Sequence, residues 1–376
     1  MTKKNTLAAA SQAEDRKKIA QRLPSWAVVD HLQIPSRLSL EQCSSEATAR
    51  YKAEVAKRLF PEGGDTLIDL TGGLGVDFSH LAPLFRKAIY TEQRPELCEA
   101  MRHNAPLLGL GNIEIREADS TAILSELPAA DLIFIDPARR DAAGHKTVRI
   151  EDCEPDLTRL LPLLLEKAKT LLVKLSPMLD ITQAIERLSC VAEVHIIDSD
   201  RECKELLLVI TNGEKTPTLT CASLPHGGEG ETRRFSFTME EEAQAAVTLT
   251  HTPKTFLYEP SPAMMKGGAF RLVAQRFGLE KLHRHSHLYT GDKWLPDFPG
   301  RGFRVMRTSG FGKRALRDFK GDLQQANLAT RNFPGSVAEL RKRLKLKDGG
   351  NEYWFATTLA DESHVLIACE KVVQAD

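Results

Sequence analysis

A chain of 376 residues is longer than one ordinary core requires, so two or three domains are expected. With 42% hydrophobic and 27% charged residues it has the make-up of a soluble globular protein, and a formal net charge of zero excludes a whole-molecule field that would gather nucleic acid. Its seven cysteines are scattered without a CxxC pair, which argues against a metal site or a disulfide framework and suits a reducing, cytoplasmic compartment.

The first twenty residues mix acids with bases and lack a long apolar stretch, so they read as a poor signal peptide. No apolar run approaches the roughly 18 residues of a membrane-crossing helix. Residues 1–62 read as an N-terminal helical region. In "SSEATARYKAEVAKRLF", Ser44 and Ser45 supply N-cap side chains and Pro61 supplies the stop. Ala47, Tyr51, Val55 and Leu59 recur about every four residues and form one apolar face.

From Asp65 the period changes. "TLIDL", "KAIYTE", "IEIREAD", "DLIFIDP", "TLLVKLS", "VAEVHIIDS" and "ELLLVIT" are apolar runs of strand length, most of them separated by helical stretches. That alternation predicts a parallel, doubly wound α/β sheet over residues 63–212. Only a short turn containing "DREC" separates the last two runs, so they form a hairpin and the final strand runs antiparallel. Residues 213–250 are polar and turn-rich and read as a linker with some strand content. Residues 251–305 read as strand, turn and helix. Residues 306–376 read as β, α, α, β, β, a second small α+β unit.

Chemistry gathers at the ends of the strands. Gly72, Gly73 and Gly75 follow the first strand, where glycine lets the backbone turn sharply and approach a ligand. The stretch is neither a clean GxGxxG nor a Walker A loop. Glu92 ends the second strand, Asp119 the third and Asp136 the fourth. Ligands of open α/β sheets lie outside these carboxyl ends. A nicotinamide dehydrogenase is one competitor for such a series, but it leaves Asp119 and Asp136 without a role. Lys174, near the end of the fifth strand, either points into the same cleft or snorkels at its rim.

This ordering resembles the class I S-adenosylmethionine-dependent methyltransferases, whose seven-stranded Rossmann-like sheet inserts an antiparallel last strand beside the sixth. The resemblance implies that Asp69, Gly72, Gly73 and Gly75 surround the methionine part of the cofactor, that Glu92 holds the ribose and that Asp119 holds the adenine end, with Asp136 beside the methyl group. Base-modifying members often end the fourth strand in Asp/Asn-Pro-Pro-aromatic. Here Asp136, Pro137 and Ala138 keep part of that pattern, and Arg139 stands where the aromatic would be. RNA uracil-C5 methyltransferases carry Asp-Pro-x-Arg at this place and use a cysteine nucleophile after the fifth strand. Ser176 and Pro177 occupy that position here. Cys203, flanked closely by Arg201 and Lys204, is the nearest substitute, and an inert thiol is the preferred account of it. The resemblance therefore implies direct methyl transfer, in which Asp136, Pro137, Arg139 and Lys174 form the acceptor side. Asp136 would position an amine and accept its proton.

Charge is unevenly distributed. From Lys281 to Lys320 ten cations face three acids, with Tyr289, Trp294, Phe298 and Phe303 interleaved, and "LRKRLKLK" follows. Clustered cations with aromatics suit RNA phosphates and bases, although most of these aromatics individually read as core. Arg139, Arg140, Arg304, Arg307, Lys313, Arg314 and Arg331 are the candidate RNA contacts. The stretch 326–372, together with "IDPARRD", "CEPDL", "KLSPMLDI" and "ECKELL", resembles a bacterial methyltransferase family carrying C-terminal ferredoxin-like (251–305) and THUMP-like (306–376) domains. That resemblance implies a tRNA or rRNA substrate, with Arg331, Asn332 and Phe333 at the visible core of the last domain. Two alternatives stand beside it: a catalytically silent RNA-binding protein that keeps the fold, and a methyltransferase of a protein or small molecule.

Overall fold

The computed structural model describes residues 17–139, 149–213, 215–225, 227 and 230–372. Arg140 and the side chain of Arg139 lie outside this description. The chain forms two compact units. One comprises Met1–Ser199, Lys204–Thr218 and Leu224–Thr232; the other comprises Asp200–Cys203, Leu219–Ser223 and Arg233–Asp376.

After the short helices Pro24–Ala27 and Arg37–Gln42, the first long helix of this unit is α1 (Glu46–Leu59), whose Ser45 cap accepts a hydrogen bond from Thr48 N at 3.3 Å. Of the predicted face, Tyr51 and Val55 are buried and Ala47 and Leu59 half-buried; Ala56 is buried beside them. Lys52 is buried with them. Leu23, Trp26, Leu40 and Ala49 share one apolar cluster with Leu74, Val76 and Leu97. The expected boundary at residues 62/63 therefore does not separate two cores.

Next come β1 (Gly64–Asp69), α2 (Val76–Leu81), β2 (Phe85–Glu92), α3 (Pro95–Leu107), β3 (Ile113–Glu117) and β4 (Ala130–Ile135). The unit continues through α4 (Leu157–Lys167), β5 (Ala168–Leu175), α5 (Ile181–Leu188), β6 (Val191–Ser199) and β7 (Glu202–Thr211). Across the sheet these strands stand in the order β3-β2-β1-β4-β5-β7-β6. β1 runs parallel to β2 and β4, β2 to β3, and β4 to β5. β7 runs antiparallel to β5, with Lys174 opposite Leu207, which is the arrangement the short "DREC" turn predicts. The chain winds one way from β1 to β3 and the other way from β4, so a crevice opens at the carboxyl ends of β1 and β4.

In the stretch read as a linker, β8 (Thr218–Ser223) and β9 (Arg233–Phe237) pair antiparallel. A helical turn, Met239–Gln244, follows, closed by a Thr238–Glu241 capping box. The second unit then contains β10 (Phe256–Pro260), β11 (Glu280–Lys281), β12 (Tyr289–Gly291) and β13 (Gly300–Ser309). After these come α6 (Lys313–Lys320), β14 (Asn327–Arg331), α7 (Val337–Leu344), β15 (Glu352–Thr358) and β16 (His364–Lys371). They make one seven-stranded sheet, β11-β12-β10-β13-β16-β15-β14. The boundary expected at 305/306 lies inside β13, which pairs with β10 on one side and β16 on the other. Both small domains thus share a continuous sheet. Among the described residues, no helix is long and apolar enough to cross a membrane.

Candidate active site

The site begins where β1 stops. Asp69 is buried, and its Oδ1 accepts from Thr71 N at 2.9 Å. Burial pushes its carboxyl well above the usual range; the Thr71 N–H opposes that rise, and Asp77, Asp136 and Glu92 add to it. Thr71 Oγ1 accepts from Asp136 N at 2.7 Å, so one threonine joins the ends of β1 and β4. The sequence reading passed over Thr71.

The glycines are required for distinct reasons. Gly73 and Gly75 have φ of +56° and +82°, a region that disfavours side chains. A Cβ on Gly75 would fall 1.9 Å from Met101 Cε, and one on Gly72 would fall 2.2 Å from the Tyr90 ring. The loop therefore lies flat on Tyr90, whose hydroxyl donates to Gly73 O at 2.5 Å. From the other side, Glu92 Oε2 accepts from Gly73 N at 2.9 Å, while its Oε1 accepts from Arg94 N (3.0 Å) and Arg94 Nε (3.1 Å). A carboxylate has room for about four donors, so Glu92 can hold the loop and still accept from a ligand. Asp119 Oδ1 accepts from Thr121 N (2.8 Å) and Oγ1 (2.7 Å), and these bonds hold its carboxyl below the ordinary range.

Asp69, Gly72, Gly73, Gly75, Glu92, Asp119, Asp136, Pro137 and Lys174 all line a single cavity of about 1300 Å³ in the first unit. Lys174 Nζ lies 2.5 Å from Asp136 Oδ2, so the lysine points into the cleft rather than snorkelling at its rim. Burial disfavours its charge, but Asp136, Asp77 and Glu205 override that effect, and its pKa rises above the lysine range. Past Pro137, Ala138 and Arg139 pair antiparallel with Glu154 and Cys153, which ties the "IDPAR" stretch to "CEPD".

Several residues at and behind the cavity wall were not singled out from the sequence. Lys52 is fully buried, 2.5 Å from Glu205 Oε1, 3.1 Å from Asp77 Oδ1 and 3.2 Å from Ser44 Oγ. Ser44 Oγ donates to Asp77 Oδ2 at 2.6 Å. Asp77, Glu205 and Ser44 line the cavity. Phase alone carried a signal, because residue 52 falls on the inner face of α1. Its lysine made that face look ragged rather than functional.

The cysteine on the cavity wall is Cys43, not Cys203. Burial raises the Cys43 thiol, and it donates to Leu40 O at 3.1 Å. Ser176 lines the wall where a cysteine nucleophile would be expected. Among the described lining residues, none supplies a thiolate. No cluster of His, Cys, Asp and Glu suited to a metal occurs among the described residues either.

Residues 256–299 match a family described as a ferredoxin-like domain, and residues 300–371 one described as THUMP domain-like. A proposed methyltransferase from Porphyromonas gingivalis W83, known from its crystal structure, is 37% identical. Its TM-score is 0.88, with 99% of this chain and 92% of that chain covered. This chain belongs to the same methyltransferase family. Two curated relatives are 23S rRNA (uracil(1939)-C(5))-methyltransferases RlmD. The one from Shewanella sp. (strain ANA-3) is 32% identical over 104 residues and the one from Chromohalobacter salexigens 28% over 101. These stretches are 27% of this chain but only 23% and 21% of those relatives.

In the family's C-terminal part the candidate cations divide into two groups. Arg307 donates to Glu352 through both terminal nitrogens (2.8 and 3.2 Å) and to Phe319 O through Nε (3.2 Å), and it lies over the Phe319 and Trp354 rings. Arg331 Nη2 lies 2.5 Å from Glu259 Oε1, and the same buried carboxylate accepts from Arg301. Both guanidiniums are therefore tied to acids of their own unit, with 34% and 40% of their side chains still exposed. Arg304, 3.9 Å from Glu370, is exposed; so are Lys313 and Arg314 on α6, where Asp318 lies 3.7 Å from Arg314. Tyr289, Phe298 and Phe303 are buried, and Trp294 stacks on Tyr258. These aromatics build the core, as most were expected to do.

Proposed function

We propose that this protein is an S-adenosylmethionine-dependent methyltransferase that acts directly on a base in structured RNA, tRNA or rRNA. The observation that carries this is the convergence of the glycine loop, Glu92, Asp119 and Asp136 in one cavity at the point where the sheet reverses its winding. The loop suits the cofactor because its glycines pack flat on Tyr90 and Met101 while their backbone lines the cavity. Asp69 and Gly72 to Gly75 would surround the amino-acid end, Glu92 the ribose hydroxyls and Asp119 the adenine. The bound cofactor supplies an activated methyl group, so the chain's task is alignment more than proton chemistry. RNA is favoured by the THUMP domain-like match, by the RNA-modifying names of the curated relatives and by the exposed cations on α6.

Calorimetry tests the cofactor assignment. Micromolar binding of S-adenosylmethionine is expected, at least tenfold weaker in Asp119→Ala and lost in Gly73→Asp, which puts a side chain at positive φ and a second acid beside Glu92. Preferential binding of NAD would overturn it. For RNA, Lys313→Glu combined with Arg314→Glu is expected to weaken binding and to flatten the log K–log salt slope by about 2, or about 1 per lost phosphate contact. Turnover and salt slope both unchanged in that variant would favour a protein or small-molecule acceptor.

A further inference from the structure

The acceptor side of the cavity has an unusual make-up for a pocket that receives a base. Phe134 is the sole aromatic among the described lining residues, and it is buried beneath the floor. Among the described lining residues, then, the groups offered to a base are edge-reading ones rather than a ring for its face. The edge-reading groups are Asp136 and Lys174. The Asp136 side chain is one-third exposed to the cavity, and the Lys174 ammonium stands 2.5 Å from its Oδ2. Thr71 fixes the Asp136 backbone, and Pro137 stiffens the next link. A fixed cationic donor thus sits beside an anionic acceptor.

We propose, building on the RNA methyltransferase reading above, that Asp136 and Lys174 read the lactam edge of a guanine or uracil and direct the methyl group to its ring nitrogen. The N–H of that edge faces Asp136 and the adjacent carbonyl oxygen faces Lys174, as two-point recognition of a splayed base requires. The electron count favours this edge over an amine. Methylating an exocyclic amine places positive charge on nitrogen, and a permanent ammonium nearby opposes it. In a lactam, loss of the ring proton places negative charge on the carbonyl oxygen, and the same ammonium stabilises it. The step balances. The N–H bond breaks and the proton passes to Asp136, the ring nitrogen bonds the methyl carbon, and the carbon–sulfur bond breaks with its electron pair returning to sulfur. No thiolate is needed, which accords with the raised Cys43 thiol and with Ser176 after β5.

Lys174 faces Asp136 from β4, Asp77 from α2 and Glu205 from β7, and these acids keep it protonated over the working range. The test supplies the full-length protein and S-adenosylmethionine to a set of unmodified tRNA and rRNA transcripts. The digested products are then identified by mass spectrometry. The expected products are 1-methylguanosine or 3-methyluridine. Methyl groups on an adenine or cytosine amine, or on uracil carbon 5, overturn this inference and leave the RNA methyltransferase reading standing. No methylated nucleoside in a protein that binds the cofactor overturns both. Lys174→Met is expected to lower kcat about 10²- to 10³-fold at neutral pH, the loss typical of removing one oxyanion donor. It should regain activity as pH rises and bind S-adenosylhomocysteine within about twofold of the parent. Lys174→Arg, which keeps the cation, should retain most of kcat. A Lys174→Met enzyme with unchanged kcat, or with a loss that does not depend on pH, counts against the assignment.

Discussion

Replacing Lys52 by methionine should cost the first unit about 3–5 kcal/mol, the range for removing one partner from a buried ion pair. Lys52 has no solvent-exposed side-chain area and stands between Glu205 at 2.5 Å and Asp77 at 3.1 Å. Without it two buried carboxylates lose the cation paired directly with them. Burial raises the Asp77 carboxyl, but Lys52, Lys174 and Ser44 outweigh that and hold it below the ordinary aspartate range. Because its folded pKa is depressed, the stability Asp77 contributes is present above its unfolded value and is lost as pH falls through the folded one. Urea unfolding followed by circular dichroism measures the cost. Pairing the change with Glu205→Gln should recover at least ~1 kcal/mol of it, since one of the two stranded charges is removed. A Lys52→Met cost below about 1 kcal/mol would mean that water or a rearranged neighbour already screens these acids.

The difference between what the sequence discloses and what it hides follows from distance along the chain. Asp69, Glu92, Asp119 and Asp136 were legible because each ends an apolar run, and the doubly wound pattern sends all such ends to one edge. The antiparallel β7 was legible because the turn before it is too short for a crossover. Lys52 was not. Its partner Glu205 lies 153 residues away, and a lysine on an inner helix face gives no local sign that it is paired. Arg307 and Arg331 show the same limit from the other side. Local composition counts them as surface cations, but β15 brings Glu352 from 45 residues away and β10 brings Glu259 from 72. Net charge in a window measures how many cations are present. Which of them remain for a partner is decided by tertiary pairing. Lys313 and Arg314 remain on an exposed helix face, and they are the positions where an RNA contact should be sought.

Glu92→Ala should weaken binding of S-adenosylhomocysteine about 10²- to 10³-fold, more than Asp119→Ala does. Two separate losses combine. Gly73 N loses its 2.9 Å acceptor, so a loop held at positive φ is freed on the side that faces the cavity. The buried carboxylate proposed to accept the ribose hydroxyls disappears as well. Hydrogen bonds to a charged group are worth about 1.5–3 kcal/mol each, and each 1.4 kcal/mol is tenfold in affinity. Glu92→Gln separates the two effects. The amide oxygen can still accept from Gly73 N, while Arg94 N and Nε lose their acceptor, so the residual loss reports the ribose contacts together with the Arg94 tie. Calorimetry with S-adenosylhomocysteine and with adenine alone checks this. Adenine, which lacks the ribose and the amino acid, should bind the parent and Glu92→Gln equally through Asp119. If Glu92→Gln loses adenine as severely as it loses S-adenosylhomocysteine, Glu92 acts by shaping the cavity, and the ribose must be held elsewhere.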